Sequence, residues 1–63
     1  MEAYQVRVVE EKQDLDSKLE KLNLFVTSTK FDDVPLPEQE RLKKQLLIMK
    51  EYSQVLSDRI AVF

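Results

Sequence analysis

The sequence predicts an all-α protein, a single domain spanning 1–63 in which two helices fold back on each other as an antiparallel αα-hairpin and assemble with further copies into a helical bundle. Three observations lead there. Apolar residues recur at spacings of three and four through two long stretches, both prolines of the chain fall together between those stretches, and glycine is absent from all 63 residues. Without glycine, tight primed hairpin turns and phosphate-cradling loops are improbable, so β-meanders and P-loop chemistry fall out together.

The first helix is expected over 3–27. Tyr4, Val8, Leu15, Leu19, Leu22, Phe25 and Val26 follow the i, i+3, i+4, i+7 template. The stripe has a gap at Glu11. Between its members, Arg7 with Glu11 and Asp14 with Lys18 set opposite charges one turn apart, each exposed pair contributing only a few tenths of a kcal/mol to helix stability. The connector covers 28–36, where Phe31, Val34 and Leu36 are expected to fold over the closed end and Ser28 or Thr29 to cap a short extra turn. The second helix, 37–62, begins at Pro37, whose missing N–H is unsatisfied at a first helical position in any case, with Glu38 and Glu40 in the positively polarised first turn. At about 1.5 Å per residue the helices come to about 37 and 39 Å, and so short a connector makes them antiparallel.

Folding about that connector sets Leu22 opposite Leu42, Leu15 opposite Met49, Glu11 near Ser53 and Tyr4 beside Ile60. Apolar pairs then fill the closed half, while Arg7, Glu11, Ser53 and Arg59 enter the open half and need partners, since a buried unsatisfied polar group costs about 1 to 3 kcal/mol. The second helix carries more apolar surface than one hairpin needs. One stripe runs Leu42, Leu46, Met49, Leu56, Ile60, Phe63, and a second runs Ile48, Tyr52, Val55, Val62 on the adjoining side. A chain of this size sits near the limit for a single core, and with no cysteine and no histidine it has neither a disulfide nor a typical zinc site to hold it. Self-association through the second stripe is the expectation.

Composition removes most chemistry. Twelve acidic and ten basic residues, net charge −2, argue against duplex nucleic acid as a partner, and no apolar run approaches the ~20 residues that span a bilayer. No secretory leader is recognisable, so a cytoplasmic site is expected. Without histidine or cysteine there is no Ser-His or Cys-His pair, and an enzyme is not expected, nor a cofactor. Glu10, Glu11, Asp14 and Asp16 could in principle meet a hard cation, yet no loop of alternating oxygen ligands is present. One constellation survives. The pairing gathers Tyr4, Arg7, Tyr52 and Arg59 at the open end, with Gln45 two heptads before Arg59 on the same face. Arginines offer bidentate donors to phosphate, and tyrosine rings offer stacking surfaces for bases, so the set suits a small anionic nucleotide. The same residues also fit a structural role, with Arg7 paired to Glu11, Arg59 to a carboxylate of another protomer, and the tyrosines packed at the rim. Arg41, Lys43 and Lys44 form a basic cluster that reads as a solvated face.

The order Tyr4, Arg7, Glu11, Leu15, LysLeuGluLysLeu at 18–22, Phe25 and Phe31, then Leu42, Gln45, MetLysGluTyr at 49–52, Leu56 and Arg59 resembles a family of small bacteriophage proteins, relatives of an uncharacterised crAss-like phage protein. The resemblance covers nearly the whole chain and is densest over QLLIMKEYSQVLSDRI. In size, charge and architecture the chain is similar to phage hairpin sponges of the anti-CBASS and anti-Thoeris classes, although none of their binding motifs aligns onto it. The resemblance implies a protein of the host cytoplasm that binds and sequesters a cyclic di- or oligonucleotide or a cyclic ADP-ribose-type signal without turnover. Arg7 and Arg59 would contact phosphates, Tyr4 and Tyr52 stack on bases, and Gln45 read a base or sugar edge at an interface between protomers. The competing expectation is an adaptor coiled coil that binds a phage or host protein through the same stripe.

Overall fold

The computed structural model describes all 63 residues. It is a rod of two helices, with no strand, measuring 45 × 14 × 13 Å. Helix α1 spans Ala3–Val26, a short 3₁₀ turn spans Thr29–Asp33, and helix α2 spans Leu36–Ala61.

Each boundary has a local cause. At the start of α1 the Glu2 amide donates to Gln5 Oε1 at 2.8 Å, satisfying one of the amides a helix leaves free. At its end, hydroxyls do what glycine often does elsewhere. Thr27 Oγ1 donates to the carbonyls of Asn23 and Leu24 at 3.0 and 3.2 Å, and Ser28 Oγ to that of Phe25 at 2.7 Å, so no residue needs a positive φ. Ser28 occupies the position before the 3₁₀ turn, but its hydroxyl reaches back to α1 instead of capping forward. Helix α2 starts one residue before the expected Pro37, with Pro35 as its N-cap and Pro37 at the second helical position. The first amides of a helix have no internal acceptor, so proline is harmless at either position.

The closed end is built on Phe31, which is buried and meets Phe25 edge to face with centroids 5.8 Å apart. Gln39 Nε2 donates to the carbonyls of Phe31 and Val34 at 3.1 and 2.8 Å and ties the connector to the first turns of α2. Leu36 departs from expectation. It is 73% exposed, because as the first residue of α2 it projects outward and leaves the end cover to Phe31.

The seam between the helices follows a heptad rhythm. Gln5, Val8, Lys12, Leu15, Leu19, Leu22 and Val26 on α1, and Gln39, Leu42, Leu46, Met49, Ser53, Leu56 and Ile60 on α2, alternate at three and four residues, and every one is buried or half-buried. The gap expected at Glu11 is filled instead by Lys12, and the register differs accordingly. Ser53 meets Lys12 and Asp16 instead of Glu11, and Tyr4 stacks edge to face on Phe63, three residues beyond Ile60. Glu11, Arg7 and Arg59 are exposed, so water rather than the seam satisfies them.

Little is buried. Only Val8, Phe31, Leu46 and Leu56 are buried, and the surface is 4879 Å² where a compact folded chain of 7.5 kDa presents about 4,250 Å². The radius of gyration, 14.4 Å, likewise exceeds the roughly 10.6 Å of a compact domain of this length. Ile48, Tyr52, Val55 and Val62, the second stripe, are all exposed, as are Leu24 and Leu47.

Candidate ligand-binding face

Positions seven apart on a helix share a face, and this places the candidate residues together on one side of the seam. Gln45, Tyr52 and Arg59 are successive heptad equivalents on α2, with Ile48, Val55 and Val62 beside them. On the same side of α1 lie Tyr4, Glu11 and Lys18 in one row and Arg7 and Asp14 in the next. An open groove of about 510 Å³ runs between the rows, lined by Arg7, Glu10, Glu11, Asp14, Leu15, Lys18 and Tyr52.

The structure therefore brings Arg7 and Tyr52 to one groove. Tyr4 sits at the open end with its ring against Phe63, its hydroxyl 3.4 Å from Gln5 Nε2, and half its surface exposed. Arg59, in the last turn of α2, lies at the same end and is exposed. Gln45 stands apart. Its amide donates weakly to Met49 Sδ at 3.9 Å, and fourteen residues of helix put it about 21 Å from Arg59.

Ion pairing separates two kinds of basic residue. Lys12 pairs with Asp16 at 2.9 Å, Arg41 with Glu38 at 3.1 Å and Lys43 with Glu40 at 3.7 Å. Within the basic cluster that opens α2, Arg41 and Lys43 thus have counter-charges of their own and Lys44 is in no ion pair, and Lys43 also lies 6.0 Å from the centre of the Phe31 ring. The Arg7–Glu11 and Asp14–Lys18 pairs expected from spacing do not form, and neither Arg7 nor Arg59 is in an ion pair. Both guanidinium groups keep their donors for something else. Against that, three carboxylates and two cations line the groove of a single hairpin, a balance that does not by itself attract phosphate.

Spacing also missed a polar layer within the seam. Lys12 Nζ donates to Ser53 Oγ at 2.8 Å and to Asp16 Oδ2 at 2.9 Å, while the Ser53 hydroxyl donates to Asp16 Oδ1, closing a triangle in which no group is left unpaired. The Ser53 hydroxyl, and then the Lys12 ammonium, hold the Asp16 carboxyl below its ordinary value, with burial opposing them. The signal was present in the heptad, which puts Lys12 between Val8 and Leu15 and Ser53 between Met49 and Leu56. Elsewhere, no three metal-ligating side chains converge, and neither helix is long and apolar enough to cross a membrane.

Fold and face define a small coiled-coil hairpin that carries exposed tyrosines and unpaired arginines on one side. The model of the family described as Sequestin matches residues 2–62, and the chain belongs to that family. Over 63 residues it is also 46% identical to a protein of Enterobacteria phage T4 described as an uncharacterised 7.5 kDa protein in the denB-rIIB intergenic region, all of this chain aligning with 98% of that one. Small phage proteins are therefore its relatives. No solved structure matches the chain.

Proposed function

We propose that the protein is a phage sponge: a homo-oligomer in the host cytoplasm that binds a cyclic di- or oligonucleotide, or a cyclic ADP-ribose-type immune signal, and holds it without cleaving it, as anti-CBASS and anti-Thoeris proteins do. The observation that carries the proposal is the free state of Arg7 and Arg59 on the face that also exposes Tyr52. An arginine without a carboxylate partner keeps its planar fork of donors for phosphate oxygens, and an exposed tyrosine ring offers a base a stacking surface. Tyr4 is held edge-on by Phe63 and keeps half its surface open for a second base. Gln45 supplies an amide for a base or sugar edge. The family's name denotes sequestration, and the relative in phage T4 is consistent with a protein that acts during infection.

The test is a thermal-shift panel of cyclic di- and trinucleotides and cyclic ADP-ribose isomers, followed by recovery of the bound ligand from denatured protein. A raised melting temperature with intact ligand recovered is expected. A second reading rests on the exposed Leu47, Ile48 and Val55, which would also suit an adaptor that docks a phage or host protein. A panel in which no nucleotide raises the melting temperature would favour that reading and sink the first.

A further inference from the structure

A single hairpin leaves the candidate site incomplete in a particular way. Along α2, Tyr52 is the midpoint of a stripe, with Gln45 seven residues before it and Arg59 seven after, Ile48 four before and Val55 three after. Such a stripe matches itself when turned end for end. We infer that a second copy of the chain covers it about a two-fold axis at Tyr52, the two α2 helices antiparallel, so that Gln45 of each copy completes the site around Arg59 of the other. This rests on the nucleotide-binding reading and deepens it, because the site is then built in trans.

Several observations converge on a second copy as the occupant. On one chain Gln45 and Arg59 stand about 21 Å apart, too far for one small nucleotide to touch both, whereas the two-fold brings each to the level of the other's counterpart. Ile48 of one copy meets Val55 of the other, so these exposed apolar residues cover one another, and the two Tyr52 residues flank the axis between the two sites. The surface in excess of a compact chain, 4879 Å² against about 4,250 Å², is of the order that one side of a standard dimer hides, about 800 Å². Charge fits as well. Lys44 of each copy falls within two residues of Asp58 on the other, which offsets its approach to the neighbouring Arg59 of that copy and leaves both cations at the level where an anionic ligand would sit. A parallel pairing lacks this match, since it sets Gln45 beside Gln45 and leaves Arg59 as far from it as before.

The chain has no cysteine, so introduced thiols report cleanly. Under mild oxidation Tyr52→Cys should form an interchain disulfide by itself, and Ile48→Cys mixed with Val55→Cys should crosslink. Neither of the latter should crosslink alone, because antiparallel pairing offsets like positions by roughly 9 to 12 Å along the axis, beyond the Cα separation of about 7 Å that a disulfide bridges. Ile48→Cys crosslinking to itself as fast as to Val55→Cys, or a native chain that sediments as a monomer at micromolar concentration, overturns the two-fold. Mixing Gln45→Ala chains with Arg59→Ala chains should restore about a quarter of the native binding sites for the cyclic-nucleotide panel if the two residues act across copies. No restoration overturns the trans site. Crosslinks without any nucleotide binding remove the site together with the sequestration reading but leave the dimer, and nucleotide binding without the crosslinks removes the dimer and its trans site but leaves the sequestration reading.

Discussion

Lys12 and Ser53 meet at 2.8 Å in the middle of an otherwise apolar seam, and Asp16 closes the contact by accepting from both. A layer of this kind at coiled-coil core positions fixes register at some cost in stability, because any slip of the helices separates the donors from their acceptors. It stands between the apolar layers of Val8 and Leu56 on one side and Leu15 and Met49 on the other, and it pins the axial alignment that decides which residues of α1 flank Tyr52.

Replacing the layer by leucines at once, Lys12→Leu with Ser53→Leu, should raise the urea midpoint by an amount corresponding to about 1 to 2 kcal/mol, since apolar packing commonly matches or exceeds a partly buried polar set. It should also relax register, seen as additional amide peaks by NMR. A lower midpoint would mean that the triangle is a net source of stability. Asp16→Ala alone, which strands two donors, should cost roughly 0.5 to 1.5 kcal/mol.

The lowered pKa of Asp16 gives the folded state a pH dependence of definite sign. The folded chain holds the proton less tightly than the unfolded one, so the stabilisation is fully present above the ordinary aspartate value of 3.8 and is lost as pH falls below it. Thermal midpoints taken from pH 6 to pH 2 should therefore drop more steeply for the native chain than for Asp16→Asn. Parallel curves for the two would show that the carboxylate contributes nothing to the seam.

At the closed end Phe31 is buried, with Phe25 against it and Val34 half-buried beside it. Phe31→Ala should cost about 3 to 5 kcal/mol, as expected for an enclosed aromatic, while the neighbouring Leu36→Ala should change stability by less than about 0.5 kcal/mol because Leu36 already faces solvent. Urea melts of the two variants compare them directly, and similar losses would contradict the division of roles.

Much of this architecture was legible in the sequence. The absence of glycine, the paired prolines and the three-four spacing of leucines are local signals, and they set two helices and the connector. The register was not, because a stripe read from apolar residues alone skips Lys12, whose long aliphatic stem occupies a seam position while its ammonium finds Ser53. A stripe that skips Lys12 places Glu11 at the seam, whereas Glu11 is exposed and needs no partner there. The candidate face was legible as a set of residues on one side, since Gln45, Tyr52 and Arg59 are successive heptad equivalents on α2 while Tyr4 and Arg7 lie three residues apart, in adjoining rows of α1. The distance of Gln45 from Arg59 also follows from spacing, two heptads of helix being about 21 Å, whereas spacing alone suggested an Arg7–Glu11 pair that does not form.

The face itself gives the sharpest separation between a ligand site and a structural network. If Arg7 and Arg59 were ion-paired supports, truncating them would lower the stability of the unliganded protein. Neither makes such a pair within the hairpin, so Arg7→Ala and Arg59→Ala should leave the unliganded midpoint within about 0.5 kcal/mol of native. The same variants should lose at least tenfold in affinity for the cyclic nucleotide that stabilises the native chain most, each removing a charge-assisted contact of about 1.5 to 3 kcal/mol. Arg→Lys at either position should recover only part of this, because an ammonium cannot present two parallel donors to one phosphate. Calorimetric titration beside a urea melt reads both quantities, and variants that lose stability while binding as the native chain does would assign the arginines to the scaffold.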